Sequence, residues 1–142
     1  MKMHRVPVHI NALLALAVAC LPALNTAASG QERRSSNDEP ADVIFARVPD
    51  KARAKRNPLE SDSDAPAAGN KLFEQHCAEC HGKKADGAKR GPSLRNNAVQ
   101  QATPGEIFWI LTNGVVRRGM PAWSKLPAEQ RWQIITWLKS SQ

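Results

Sequence analysis

Apolar positions along the second half of the chain fall at helical spacing. Ile134, Trp137 and Leu138 share one stripe, with Ile135 at its border, in a segment that begins near Pro127 and runs to about Lys139. Glu129 and Gln130 near its start and Lys139 near its end suit the polarity of a helix. Upstream, Ile107, Phe108, Ile110 and Leu111 form a second apolar run that ends toward Gly114. Thr103-Pro104-Gly105-Glu106 predicts how that helix starts: Thr103 caps, Pro104 takes the first position, and Glu106 reaches back. Gly105 is unhelpful there on propensity alone. A third helix is expected over Gly69 to Gln75, with Leu72 and Phe73 near the spacing of an inner face. Trp132 is expected in the core.

The first half patterns differently. Lys2, His4, Arg5 and His9 make a basic, polar start, Ala12 to Leu24 is apolar and broken by Pro22, and small residues follow at Thr26, Ala27, Ala28 and Ser29. This predicts a signal peptide over residues 1–28, cleaved after Ala28. The apolar run is short for a membrane span, although an uncleaved anchor competes. Leu16-Ala17-Val18-Ala19-Cys20 resembles a bacterial lipoprotein signal ending before Cys20, with Ala17 where such signals usually carry Leu. Export to the periplasm is expected in either case, with membrane contact only through lipidation or a partner. Residues 29–66 read as a linker or extended N-terminal arm. Gln31 to Pro40 has no apolar anchor, and Ser61 to Pro66 is turn-like. Val43, Ile44, Phe45, Val48 and Leu59 show no sustained period, yet Val-Ile-Phe is costly to leave in water and favours some packing.

That leaves a compact unit of about 75 residues at the C-terminal end. A core that small is marginal and usually needs a staple, a metal or a cofactor. The whole chain of 142 residues has a formal net charge of +7. From Ala67 onward Lys and Arg outnumber Asp and Glu by eleven to five, so the excess sits in the folded part. No zinc-finger spacing, RNP-like aromatic motif or long Lys/Arg run points to nucleic acid. A docking face for an acidic redox partner fits better, beside the plain reading of a basic soluble surface.

The chemistry is concentrated in Cys77-Ala78-Glu79-Cys80-His81. C-x-x-C-H is a c-type haem attachment signal. Two cysteines three apart on a helical turn point the same way and can reach the vinyl groups on one haem edge. His81, four past Cys77, brings its imidazole over the iron. A disulfide, a thioredoxin-like redox pair and half a zinc site compete. After export only His76 and His81 would remain as further Cys/His ligands, and no second cysteine pair exists.

Met120 is the one methionine outside the signal region, in Arg117-Arg118-Gly119-Met120-Pro121-Ala122-Trp123. A lone Met is ordinarily packing. Here Gly119 permits close backbone approach and Pro121 fixes the chain beyond, which suits aiming a thioether at iron. His76 is the other candidate, but its tether to Cys77 keeps it from the opposite haem face. If both axial positions are filled, catalysis at iron is disfavoured and the chain is not an enzyme. If Met120 is not the resting ligand, a five-coordinate haem enzyme or a gas or peroxide sensor is the alternative.

From about Ala67 to Ser140 the chain resembles a class I c-type cytochrome domain of the small bacterial monohaem kind. The resemblance implies an all-α, cytochrome c-like fold over residues 67–142, wrapped around one covalently attached haem c. It implies Cys77 and Cys80 as thioether donors, His81 as proximal ligand and Met120 as distal ligand. In Arg90-Gly91-Pro92-Ser93-Leu94 it makes the Pro92 carbonyl the acceptor for the proximal imidazole, which fixes the tautomer. It pairs Gly69 and Phe73 on the first helix with Trp137 on the last. The implied role is one-electron transfer between exported or membrane-bound redox proteins, such as a dehydrogenase or an oxidase.

Overall fold

A computed structural model describes residues 41–140. The signal peptide, Cys20 and residues 29–40 lie outside the described residues. Within them the regular structure is helical: α1 (Ala41–Ala46), α2 (Asp50–Arg53), α3 (Ala65–His76), α4 (Ala78–His81), α5 (Asn97–Gln101), α6 (Pro104–Asn113) and α7 (Ala128–Ser140). A 3-10 turn, Val116–Arg118, follows α6. No helix among the described residues is long and apolar enough to cross a membrane.

The frame is the crossing of α3 on α7. A Cβ on Gly69 would lie 1.9 Å from the carbonyl oxygen of Gln133, so the two backbones touch and only glycine fits. One turn along, Phe73 and Trp137 meet with ring centroids 4.4 Å apart. α6 closes the other side of α7, where Phe108 stacks on buried Trp132 at 4.1 Å. Because α7 is flanked by both helices, Ile135 is 0% exposed rather than at the border of a stripe. Arg131 is buried on the same helix. Its guanidinium lies 4.5 Å from the Phe108 ring centre and donates to Thr112 Oγ1, and burial lowers its pKa. α3 begins four residues before Gly69, with Asp62 Oδ1 accepting the N–H groups of Asp64 at 2.8 Å and Ala65 at 3.3 Å.

Composition left residues 41–64 without a period, yet they form α1 and α2 and pack on the core. The predicted capping box on α6 is present in both directions, Glu106 N–H to Thr103 Oγ1 and Thr103 N–H to Glu106 Oε2. Glu106, 4% exposed, also pairs with Arg53 of α2. Thr103 Oγ1 donates to the Arg53 carbonyl at 2.9 Å. Lys55 lies 4.3 Å from the Phe108 ring centre, and Asn57 Nδ2 donates to Thr136 Oγ1 at 2.8 Å in a buried contact. Gly105 is explained by the same docking. A Cβ there would come within 2.2 Å of the Ala52 carbonyl oxygen and 2.6 Å of that of Lys55. Its helix-propensity cost is offset by a backbone approach that no other residue allows.

Candidate haem attachment site

The cysteine motif sits where α3 and α4 meet end to end. Cys77 leaves the helical region at φ −121°, ψ −30°, and serves as the last cap of α3 and the first of α4. Its carbonyl accepts the N–H groups of Cys80 at 3.1 Å and His81 at 2.9 Å, so one tight turn carries both thiols and the imidazole. Both thiols are free and partly buried. Burial pushes the Cys77 thiol up to about 12, with the neighbouring Cys80 adding to the rise. A thiol–disulfide catalyst works through a lowered thiol pKa, so this environment disfavours that reading. Among the described residues no three His, Cys, Asp or Glu side chains are grouped as a zinc site needs.

His81 Nδ1–H donates to the carbonyl oxygen of Pro92 at 2.8 Å. The proton is thereby held on Nδ1, and Nε2 keeps its lone pair for a metal. The loop that supplies Pro92 is pinned at several points. Gly87 N–H donates to the His81 carbonyl at 2.9 Å, Leu94 N–H to the Ala85 carbonyl at 2.8 Å, and Ala88 and Gly91 exchange both backbone bonds at 3.0 and 3.2 Å. Ala85, fully buried, holds a positive φ of 60°, an uncommon conformation for a residue with a Cβ. Arg90 pairs with Glu79 across the surface of the turn. Lys83, Lys84 and Lys89 are exposed on this loop.

Met120 comes from a separate loop. Val115 and Met120 exchange backbone hydrogen bonds at 3.0 and 3.3 Å around the 3-10 turn, and the Met120 side chain packs partly buried on the core. Gly119 serves here by conformation and not by closeness: its φ is 81°, and a Cβ would meet nothing within 4 Å. Trp123 N–H donates to the Leu111 carbonyl at 2.8 Å, which ties the loop to the end of α6. The structure thus brings Cys77, Cys80, His81 and Pro92 together on two adjoining segments, with Met120 on a third. Sequence reasoning missed the contact between His76 and Trp123, whose rings lie 5.3 Å apart. Its one sequence signal was position, His76 next to Cys77 and Trp123 three positions past Met120.

The donor set fits a covalently held haem. Two thiols share one turn with an imidazole whose proton is held on the side of Pro92, and a thioether is carried on a separate loop; soft sulfur and imidazole are iron ligands of cytochromes.

Fold and site together define a class I c-type cytochrome domain. Residues 64–138 match the family described as cytochrome c oxidase, cbb3-type, subunit III, and the chain belongs to that family. A cbb3-type cytochrome c oxidase subunit CcoP from Rubrivivax gelatinosus is 39% identical over 59 residues, which are 41% of this chain and 19% of that protein. Cytochrome cL from the marine methylotroph Methylophaga aminisulfidivorans superposes with a TM-score of 0.52 at 30% identity, covering 60% of this chain and 58% of that one. The chain therefore spans about a fifth of its curated relative and just over half of the solved cytochrome.

Proposed function

We propose that this protein is a one-electron carrier with a single low-spin haem c, exported to the periplasm and passing electrons between redox proteins. The observation that carries the reading is the His81 Nδ1–H bond to Pro92, set on the same turn as two free thiols. Cys77 and Cys80 would hold the haem through thioethers, His81 Nε2 and Met120 Sδ would be its iron donors, and residues 67–142 would form the haem domain. When bound, haem supplies reversible cycling between Fe(II) and Fe(III). The Pro92 carbonyl holds the His81 proton and makes the imidazole a stronger donor. A Met120 thioether on the iron would raise the reduction potential relative to a second imidazole and would keep outside ligands away, which suits a carrier of electrons over an enzyme. Half-buried Leu72, Leu94, Trp123 and Leu126 exclude water near the site.

The relative named as an oxidase subunit favours a terminal oxidase as one partner, beside a dehydrogenase as donor. Exposed Lys83, Lys84, Lys89, Arg117 and Lys125 suit an acidic docking face.

The test is the visible spectrum of protein matured with haem-attachment machinery, recorded with and without carbon monoxide. A low-spin spectrum with the far-red ferric band of methionine ligation and no carbon monoxide response is expected. Met120→Ala should keep the haem attached, lower the potential and admit carbon monoxide. A wild-type protein that is high-spin and binds carbon monoxide readily would move a five-coordinate enzyme or gas sensor ahead of the carrier.

A further inference from the structure

The helix that leads into the attachment turn and the loop that carries Met120 meet at one ring contact. His76 is the last residue of α3, immediately before Cys77. Its imidazole lies 5.3 Å from a Trp123 ring, tilted by 56°, in the range where an aromatic edge meets a π face favourably. Both rings are partly buried, and Trp123 packs on the apolar core. Trp123 is also fixed through its backbone, donating to the Leu111 carbonyl at 2.8 Å and accepting from Leu126 N–H at 3.0 Å. The stretch before it is bonded mainly within itself, Val115 with Met120 and Arg118, and its tip is open: Val116 is 71% exposed, and a Cβ on Gly119 would meet nothing within 4 Å.

We propose that His76 and Trp123 form a latch that keeps the Met120 loop closed on the site and so sets how often the thioether is released. This inference rests on the reading of Met120 as axial ligand. Neither residue is itself a ligand; both are positioning residues. Met120 and Trp123 are three positions apart, at most about 10 Å when extended, so displacement of the indole carries the thioether with it. His76 is a firm anchor, because the next residue belongs to the turn that the haem would bind covalently. A ring contact of this kind shifts a two-state open–closed equilibrium by roughly two- to tenfold.

The experiment compares the haem-loaded wild type with His76→Ala, which removes the ring, and His76→Phe, which keeps one. His76→Ala should raise the rate of carbon monoxide binding to the ferrous protein by roughly two- to tenfold and weaken the far-red ferric band. Amide exchange over residues 115–123 should accelerate in the same proportion, a readout taken from the backbone and not from the haem spectrum. His76→Phe should return all three toward wild type. Unchanged ligand access and exchange in His76→Ala would overturn the latch. So would failure of His76→Phe to restore them, or exchange that rises equally across the whole domain. Met120→Ala separates this inference from the reading beneath it. If Met120→Ala opens the site and His76→Ala does not, the latch alone fails. If Met120→Ala opens nothing, the ligand assignment fails and the latch with it.

Discussion

The N-terminal arm and the Met120 loop both close over the same helical core, by different physics. The arm is clasped by polar contacts between amino acids: Arg53 on buried Glu106, Thr103 on the Arg53 carbonyl, and Asn57 on Thr136. Its own Val48 is buried at 3% exposure. The contacts that tie the loop to its surroundings include a backbone pair at Val115 and Met120, a backbone bond from Trp123 to Leu111 and a ring contact with His76. In the proposed reading its principal side chain answers to iron. A segment that must hold and release a ligand belongs among the weakly stabilised parts of a fold, while a clasp belongs among the strong ones. Residues 41–63 of the arm lie outside the stretch matched by the family.

That contrast can be broken most forcefully at Glu106. Glu106→Ala removes the acceptor for Thr103 N–H and leaves Arg53 without its carboxylate. A loss of about 2–4 kcal/mol in unfolding free energy is expected by denaturant titration, reduced from a fully buried pair because Arg53 retains access to water. The far-red band should survive in the folded fraction, since the carboxylate serves the arm and not the loop. Asn57→Ala should cost less, about 1–2 kcal/mol. It removes the bond to Thr136 and the Asn57 Oδ1 acceptor of Leu59 N–H, but Thr136 still donates to the Trp132 carbonyl at 2.9 Å. Val116→Ser on the exposed loop should change stability by less than about 0.5 kcal/mol. A Val116→Ser loss as large as that of Asn57→Ala would erase the distinction between the two regions.

How much of this was legible beforehand depends on the separation of the residues involved. The start of α6 was readable because Thr103 and Glu106 are three apart and satisfy each other's backbone. The attachment turn was readable because Cys77, Cys80 and His81 lie within one turn of chain. The end of α7 was predicted to within a residue from its stripe of apolar positions. The short α5 was missed, although Asn96 caps it by accepting Val99 N–H at 3.0 Å, because five residues carry too little periodicity. Some packing of the arm was expected from Val-Ile-Phe, but its polar partners were not legible because they are remote, Arg53 with Glu106 at 53 residues and Asn57 with Thr136 at 79. Gly105 read as a defect until the α2 carbonyls stood against it.

The sequence by itself determined the turn that joins two thiols to an imidazole and the local elements, since caps, turns and helix faces are decided by neighbours three or four positions apart. The tertiary structure alone decided that residues 41–64 clasp α6, that Ile135 is covered on both sides and that His76 meets Trp123. Those contacts depend on where the chain returns after a long excursion, and burial is a property of what arrives there, not of the residue that is covered.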